Sequence, residues 1–226
     1  MSQTFRVLLD RCARREAVTH RTVLIRKTIQ WGGTTIAIPV AERKRFAPRP
    51  DETFKLEQLP YLASVATLAN TGRVSLFTSF ELSVEKMRNA EPDQGYLGFD
   101  LLEGVPIPSV ASPMPRSASV SPDRSSGISE GEQKEALRSI VIPRFAEILR
   151  LTGKAHAGDA FHFWTAEAND LDAFLTTDKT FLNVFENIKS KLKSRTSVVS
   201  PKGLCDLLGV GPTDIEDLAQ QRPSFC

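Results

Sequence analysis

Short apolar runs that alternate with helical segments most strongly constrain the fold of this 226-residue chain. Strands are predicted at residues 5–9, 73–78, 172–177 and 196–199, and helical segments separate them. This alternation favours an α/β protein whose mostly parallel central sheet is covered by helices on both faces. The length is suited to one domain with insertions rather than to two independent domains.

A β-hairpin insertion is predicted at residues 20–50. Two β-rich runs in this segment flank Gly32-Gly33, and two glycines between such runs are a strong signal for a tight hairpin turn. The basic tail ERKRFAPR follows the second run. Such an arm could contact RNA, a second copy of the chain or another protein, and the sequence leaves these alternatives open.

A second insertion is predicted at residues 91–130, where helical and strand periodicity both fail. Five prolines lie between Pro106 and Pro122, and serines occur throughout. We therefore expect a Pro/Ser-rich loop without a core of its own. The rest of the regular chain is predicted to form a single domain over 1–210, followed by a C-terminal tail at 211–226.

Helical spacing predicts one helix over 52–70, which Pro60 is expected to start or kink, and one helical stretch over 132–153 that ends at Gly153.

Lysine and arginine exceed aspartate and glutamate by only 29 to 27, so net charge alone predicts no polyanionic partner. The three cysteines have neither metal-ligand nor CxxC spacing, and neither a signal peptide nor a membrane span is predicted. We therefore expect a cytoplasmic location, with reduced thiols and no membrane partner.

Acidic residues stand where predicted strands end. Asp10 follows the first strand, Glu81 and Glu85 lie in the turns after the second, and Asp178 ends the strand at 172–177. Asp159 begins the helix before that strand. Sites in parallel sheets form at the carboxyl ends of the strands. We therefore expect these carboxylates to converge on one edge of the sheet.

Each acid also has a purely structural explanation. Asp10 and Asp178 could cap the segments that follow them, and Asp159 could interact with a helix dipole. Glu85 could pair with Arg88 on an exposed helix face. For any one residue alone these explanations are the stronger ones, but the repetition of an apolar strand followed by an acid favours a shared site.

The segments that carry these acids resemble the PIN domain, the nuclease fold of VapC-type toxins and several RNA-processing enzymes. "DAFHFWTAEANDLDAFLTTDKTF" and "VVSPKGLCDLLG" resemble its C-terminal half, "VLLDRC" its first strand and aspartate, and "TSFELSVEKMR" its second block. The family usually places a glutamate six residues after a serine, which selects Glu85 after Ser79 over Glu81. The resemblance implies a three-layer α/β/α fold.

The resemblance also implies a metal-dependent endoribonuclease. Asp10, Glu85, Asp159 and Asp178 would hold Mg²⁺ or Mn²⁺, because carboxylates are hard oxygen ligands and the scattered histidines and cysteines form no zinc-type set. A divalent cation would relieve the repulsion among four carboxylates. Cleavage would leave a 5′ phosphate and a 3′ hydroxyl. An antitoxin, another protein or a second copy are the implied protein partners.

Other residues receive supporting roles. Thr176 could orient Asp178 or a metal-bound water, or could simply be a strand threonine. His162 lies three residues after Asp159 and is more strongly expected to pack beside Phe161 and Trp164 than to bind metal. For contact with RNA phosphates we select the basic residues beside the acids: Arg11, Arg14, Arg15 and Lys179.

Two alternatives remain. One is a catalytically inactive PIN-like module that binds RNA or protein, favoured by Cys12 at a position where the family often has asparagine and by the two insertions. The other is an unrelated α/β protein, such as a phosphate-binding or receiver-like domain, in which the acids are coincidental. This last hypothesis predicts that the four carboxylates do not meet in space.

Overall fold

The computed structural model describes residues 4–45, 48–88, 98–114, 129–216 and 218. Its strands are β1 (Phe5–Leu9), β2 (Val18–Trp31), β3 (Thr34–Arg45), β4 (Val74–Ser79), β5 (Phe99–Asp100), β6 (Ser109–Val110), β7 (Ala173–Leu175) and β8 (Ser197–Val199). Its α-helices are α1 (Arg11–Glu16), α2 (Thr53–Asn70), α3 (Phe80–Arg88), α4 (Glu130–Arg138), α5 (Pro143–Thr152), α6 (Ala157–Ala168), α7 (Lys179–Leu192) and α8 (Pro201–Leu207). A single 3₁₀ turn, Lys154–His156, precedes α6.

The central sheet has five strands in the order β6-β4-β1-β7-β8. Each neighbouring pair is parallel, and β1 lies in the middle, with Val7 opposite Leu76 on one side and Ala173 on the other. The prediction of an α/β protein with a mostly parallel central sheet is therefore confirmed.

Both faces of this sheet are covered by helices, because successive side chains of a strand point to opposite faces. Val7 and Leu9 of β1 pack in a core with residues of α2 and α8. Leu8 points the other way, into a second core formed with α5, α6 and α7. These two cores are consistent with three layers, and they explain why the strands are apolar at consecutive positions.

The predicted hairpin is confirmed, although its strands are longer than expected. β2 and β3 pair without interruption from His20 opposite Arg45 to Trp31 opposite Thr34. Gly32 and Gly33 form the turn with φ angles of 56° and 81°, a backbone region that glycine enters without steric cost. β5 pairs antiparallel with the start of β2, so the second sheet has the order β3-β2-β5.

The expectation that residues 91–130 are a loop without strands is wrong for the part that the structure describes. β6 forms an edge of the central sheet, and Phe99, Leu101 and Leu102 pack in the main core rather than in a core of their own. Both β5 and β6 are only two residues long, too short to show a periodicity in the sequence. The stretches 89–97 and 115–128 lie outside the described residues.

The predicted helix over 52–70 is confirmed as α2. Pro60 lies inside this helix and does not start it, and the buried Leu59 and Leu62 hold both sides of the proline against the core. Two other boundaries differ from the predictions. The single stretch over 132–153 is two helices, since a new helix begins at Pro143. The predicted tail contributes Ile215 to the core. Among the described residues, no helix is long and apolar enough to cross a membrane.

Candidate functional site

The four selected acids line one cavity of about 470 Å³ at the carboxyl ends of the central strands. Asp10 directly follows β1, Glu85 lies in α3 after β4, Asp159 is in the first turn of α6, and Asp178 precedes α7. The hypothesis of coincidental acids predicted that these side chains do not meet; they share one cavity, although no three of them form a ligand group as they stand among the described residues.

Asp10 is buried, with 4% of its surface exposed. Its Oδ2 accepts a hydrogen bond of 2.5 Å from the hydroxyl of Thr176, and that hydroxyl accepts one of 3.0 Å from the backbone N–H of Asp178. Asp10 occupies the N-cap position of α1 but makes no side-chain capping bond. Thr176 therefore orients the Asp10 carboxylate, whereas the sequence had linked it to the carboxylate of Asp178.

Asp178 is both a helix cap and a wall of the cavity. Its Oδ1 accepts hydrogen bonds from the backbone N–H groups of Thr180 and Phe181, at 2.7 and 3.1 Å. The capping explanation is correct for this residue. Both bonds use the same oxygen, so capping occupies only one of the two carboxylate oxygens.

Glu85 pairs with a residue to which the sequence had assigned a packing role. Its Oε1 lies 3.1 Å from Nε2 of His162, which is 2% exposed and also contacts the rings of Phe161 and Phe174. The side chain of Arg88, the alternative partner of Glu85, lies outside the described residues. Glu81 does not line the cavity, and its Oε1 accepts a hydrogen bond from Ser112 instead.

The electrostatics of the cavity disfavour negative charge. Burial raises the pKa of Asp10. Burial and the neighbouring Asp10 raise the pKa of Asp159 to about 7. Burial alone would lower the pKa of His162, but Glu85 and the two aspartates outweigh it and raise the pKa to about 9. The protonated histidine thus neutralises only part of the carboxylate charge, and the site favours a further cation.

The basic residues selected for RNA contact are divided between several places. Arg11 lines the acidic cavity, whereas Arg14 pairs with Asp100 at 2.6 Å and lines a neighbouring cavity. Arg15 and Lys179 do not line the acidic cavity, and the Lys179 ammonium lies over the ring of Phe54.

Sequence reasoning missed the two polar residues of α4 that line the acidic cavity, Gln133 and Lys134. Their helix follows the long insertion, so nothing in the sequence placed it beside the acids. Cys12 also lines the cavity, and burial, together with Asp10, raises the pKa of its thiol. This thiol therefore stays neutral and is a poor metal ligand or nucleophile.

The carboxylates share a cavity without forming a finished metal site. Among the described residues, no three His, Cys, Asp or Glu side chains lie close enough together, as they stand, to hold a metal ion. Thr176, His162 and the first turn of α7 each hold one of the acids.

Comparisons with known proteins give no relative: no family model, curated protein or solved structure matches this chain. Membership of the PIN family therefore stays a prediction that depends on the strand-end acids and the segments around them.

Proposed function

We propose that the protein is a metal-dependent endoribonuclease whose active site is the acidic cavity. The observation that carries this proposal is the convergence of Asp10, Glu85, Asp159 and Asp178, from four separate elements, on one cavity. Buried carboxylates that raise one another's pKa are costly to maintain. A site that binds a divalent cation gives such an arrangement a function, and strongly perturbed acids in a cleft are typical of functional sites.

The donor chemistry fits Mg²⁺ or Mn²⁺. Carboxylate oxygens are the ligands these cations prefer, and the two aspartates with raised pKa values would release protons when a cation binds. The contact with His162 engages Oε1 of Glu85, so the other carboxylate oxygen is the one that would reach a metal while His162 keeps Glu85 oriented.

The chain's own residues would orient the acids and the substrate. Thr176 fixes Asp10, and the first turn of α7 fixes Asp178, so both carboxylates are preorganised. Arg11 lines the same cavity and would attract a phosphate that the acids repel. When bound, a divalent cation positions the phosphodiester and activates the attacking water. RNA as the substrate follows from the resemblance to the PIN domain.

The decisive experiment measures cleavage of a mixed single-stranded RNA by purified protein with Mn²⁺, with Mg²⁺ and with chelator. The test variants are Glu85→Gln and Asp178→Asn, since asparagine also caps helices and should keep α7 intact. Glu81→Gln is the matched control, because it removes an acid of the same helix that lies outside the cavity. We expect metal-dependent cleavage by the parent and the control, and at least a ~100-fold loss in both test variants. Cleavage that persists in chelator would contradict the proposal.

A catalytically inactive PIN-like module that binds RNA or protein is the second candidate. It is favoured by the engagement of Glu85 with His162 and by the lack of a ready-made ligand group among the described residues. If the parent does not cut RNA and calorimetry detects no Mn²⁺ binding, this candidate replaces the nuclease.

A further inference from the structure

The outer part of the β2–β3 hairpin, residues 21–44, forms an arm. One side of this arm is strongly apolar. Residues that face each other across the pair share a side of the sheet, so the register assigns every side chain. Seven large apolar residues fall on the same side and form the apolar face of the arm: Val23, Ile25, Ile29, Trp31, Ile36, Ile38 and Val40. The opposite side carries mainly polar, charged and small residues.

The described residues leave part of the apolar face open. Trp31 is 72% exposed and Ile36 is also exposed, whereas the other five residues of the face are half-buried. Among the described strands, β5 pairs with Val18 and His20 at the start of β2, and none pairs with the arm beyond that point. A two-stranded hairpin is marginally stable in water unless its apolar face packs against something. The arm therefore has the apolar pattern of a packed sheet, and the described part of the chain covers its apolar face only in part.

We propose that the apolar face of the arm binds the same face of a second copy of the chain, with two-fold symmetry. The exposed Lys44 lies at the base of this face and Trp31 at its tip. An antiparallel two-fold arrangement places the tip of each arm over the base of the other, so each indole meets an ammonium group in a cation–π contact. A parallel arrangement would instead bring the basic ends together.

The size and chemistry of the face favour a protein surface. A partner could cover the exposed Trp31 and Ile36 and the remaining open area of the five half-buried residues. A pair of arms would then bury at most on the order of 1,000 Å², the lower limit for a specific interface. Lys27 and Glu42, on the same side, form an ion pair of 2.5 Å, and the other two charged residues of this side, Arg21 and Lys44, face each other at its base. The strip from Val23 to Trp31 therefore carries no net charge. RNA would select a surface that is cationic along its length, and a membrane would select an apolar tip rather than an apolar strip along the whole arm.

The oligomeric state of the full chain tests the proposal. We expect sedimentation equilibrium to show a monomer–dimer equilibrium at micromolar concentrations. The double variant Ile36→Thr, Ile38→Thr keeps β propensity but removes apolar area, and it should weaken the dimer by at least about tenfold. Leu24→Thr is the matched control, because Leu24 is 75% exposed on the opposite side of the arm. A parent that stays monomeric, or equal weakening by the control, would overturn the proposal.

Tryptophan fluorescence gives a second test that needs no variant. The chain has two tryptophans, and Trp164 is buried, so iodide quenches mainly Trp31. We expect quenching to increase as the protein is diluted and the dimer separates. The quenching could instead be independent of protein concentration and decrease on addition of anionic phosphatidylglycerol vesicles. That result would overturn the dimer and identify a lipid surface as the partner of the arm. Protection by a single-stranded RNA alone would assign the arm to RNA.

Discussion

The strand-end cavity and the arm are both built on β-strands, but they differ in how far their apolar side chains are buried. The central sheet is covered on both faces, and its apolar strands hold charged groups at their ends. The arm is covered only in part by described residues, and Trp31 and Ile36 face solvent. Apolar burial in the central sheet thus positions carboxylates, whereas the arm leaves apolar side chains exposed.

The largest expected contrast is between equivalent truncations in the two regions. Phe174 of β7 is fully buried, and Phe174→Ala should lower the free energy of unfolding by about 3–5 kcal/mol. Ile36→Ala in the arm should cost less than about 1 kcal/mol, since the side chain is already exposed in the dilute monomer. Urea unfolding at low protein concentration measures both. Equal losses would mean that the arm is packed within one copy.

The acidic cavity should make stability fall as the pH rises. The folded-state pKa of Asp159, about 7, lies above its unfolded value, so its contribution is present at low pH and is lost between about pH 4 and 7. His162, raised to about 9, contributes fully below its unfolded pKa of about 6.5 and loses that contribution as pH rises through 9. Between pH 5 and 9 these two shifts together correspond to a loss on the order of 5 kcal/mol.

Thermal unfolding across that pH range measures how the free energy of unfolding changes with pH. Asp159→Asn should remove the part of this change that occurs between about pH 4 and 7. Ile36→Ala should leave the slope unchanged, because the arm has no part in the cavity. At about pH 8, Mn²⁺ at roughly 100 times its dissociation constant should restore about 2.7 kcal/mol to the parent. A parent that is not stabilised by Mn²⁺ would argue against the metal site while leaving the pH slope intact.

Loss of the hydroxyl that holds Asp10 should have a smaller effect. Thr176→Val leaves a buried carboxylate without its side-chain donor, and we expect a loss of about 1–3 kcal/mol near neutral pH. Thr165→Val is the control, since this buried hydroxyl donates only to a carbonyl of its own helix. If the two variants unfold at the same urea concentration, Thr176 does not orient Asp10.

The smallest expected effect is at the arm's turn. Gly33 has a φ of 81°, and Gly33→Val should cost about 1 kcal/mol, because a β-branched residue strains this backbone region. Hydrogen exchange should quicken in β2 and β3 and stay unchanged in β1 and β7. Faster exchange throughout the chain would show that the arm and the central sheet unfold together.

Much of the fold could be predicted because its strands and helices carry continuous or periodic apolar patterns. The strands β1, β4, β7 and β8 were found in this way, as was the glycine turn of the hairpin. The two-residue strands β5 and β6 could not be found, since so short a segment has no period. The continuation of α2 through Pro60 depends on burial of the neighbouring leucines, which tertiary packing decides.

The candidate site was predictable where topology alone places residues. In a parallel sheet, acids at strand ends meet, so Asp10 and Asp178 needed no further information. The pairing of His162 with Glu85 joins residues 77 positions apart on two helices, and its distance follows from how those helices pack. The only signal in the sequence was the position of His162 three residues after Asp159, on a similar face of the same helix.

The double role of Asp178 limits how this site can be lost in evolution. A change to an apolar residue would remove the first-turn cap of α7 as well as a wall of the cavity. Asparagine or serine would remove the carboxylate from the cavity and keep the cap. Descendants that retain the fold without the acidic cavity should therefore carry a small polar residue at this position.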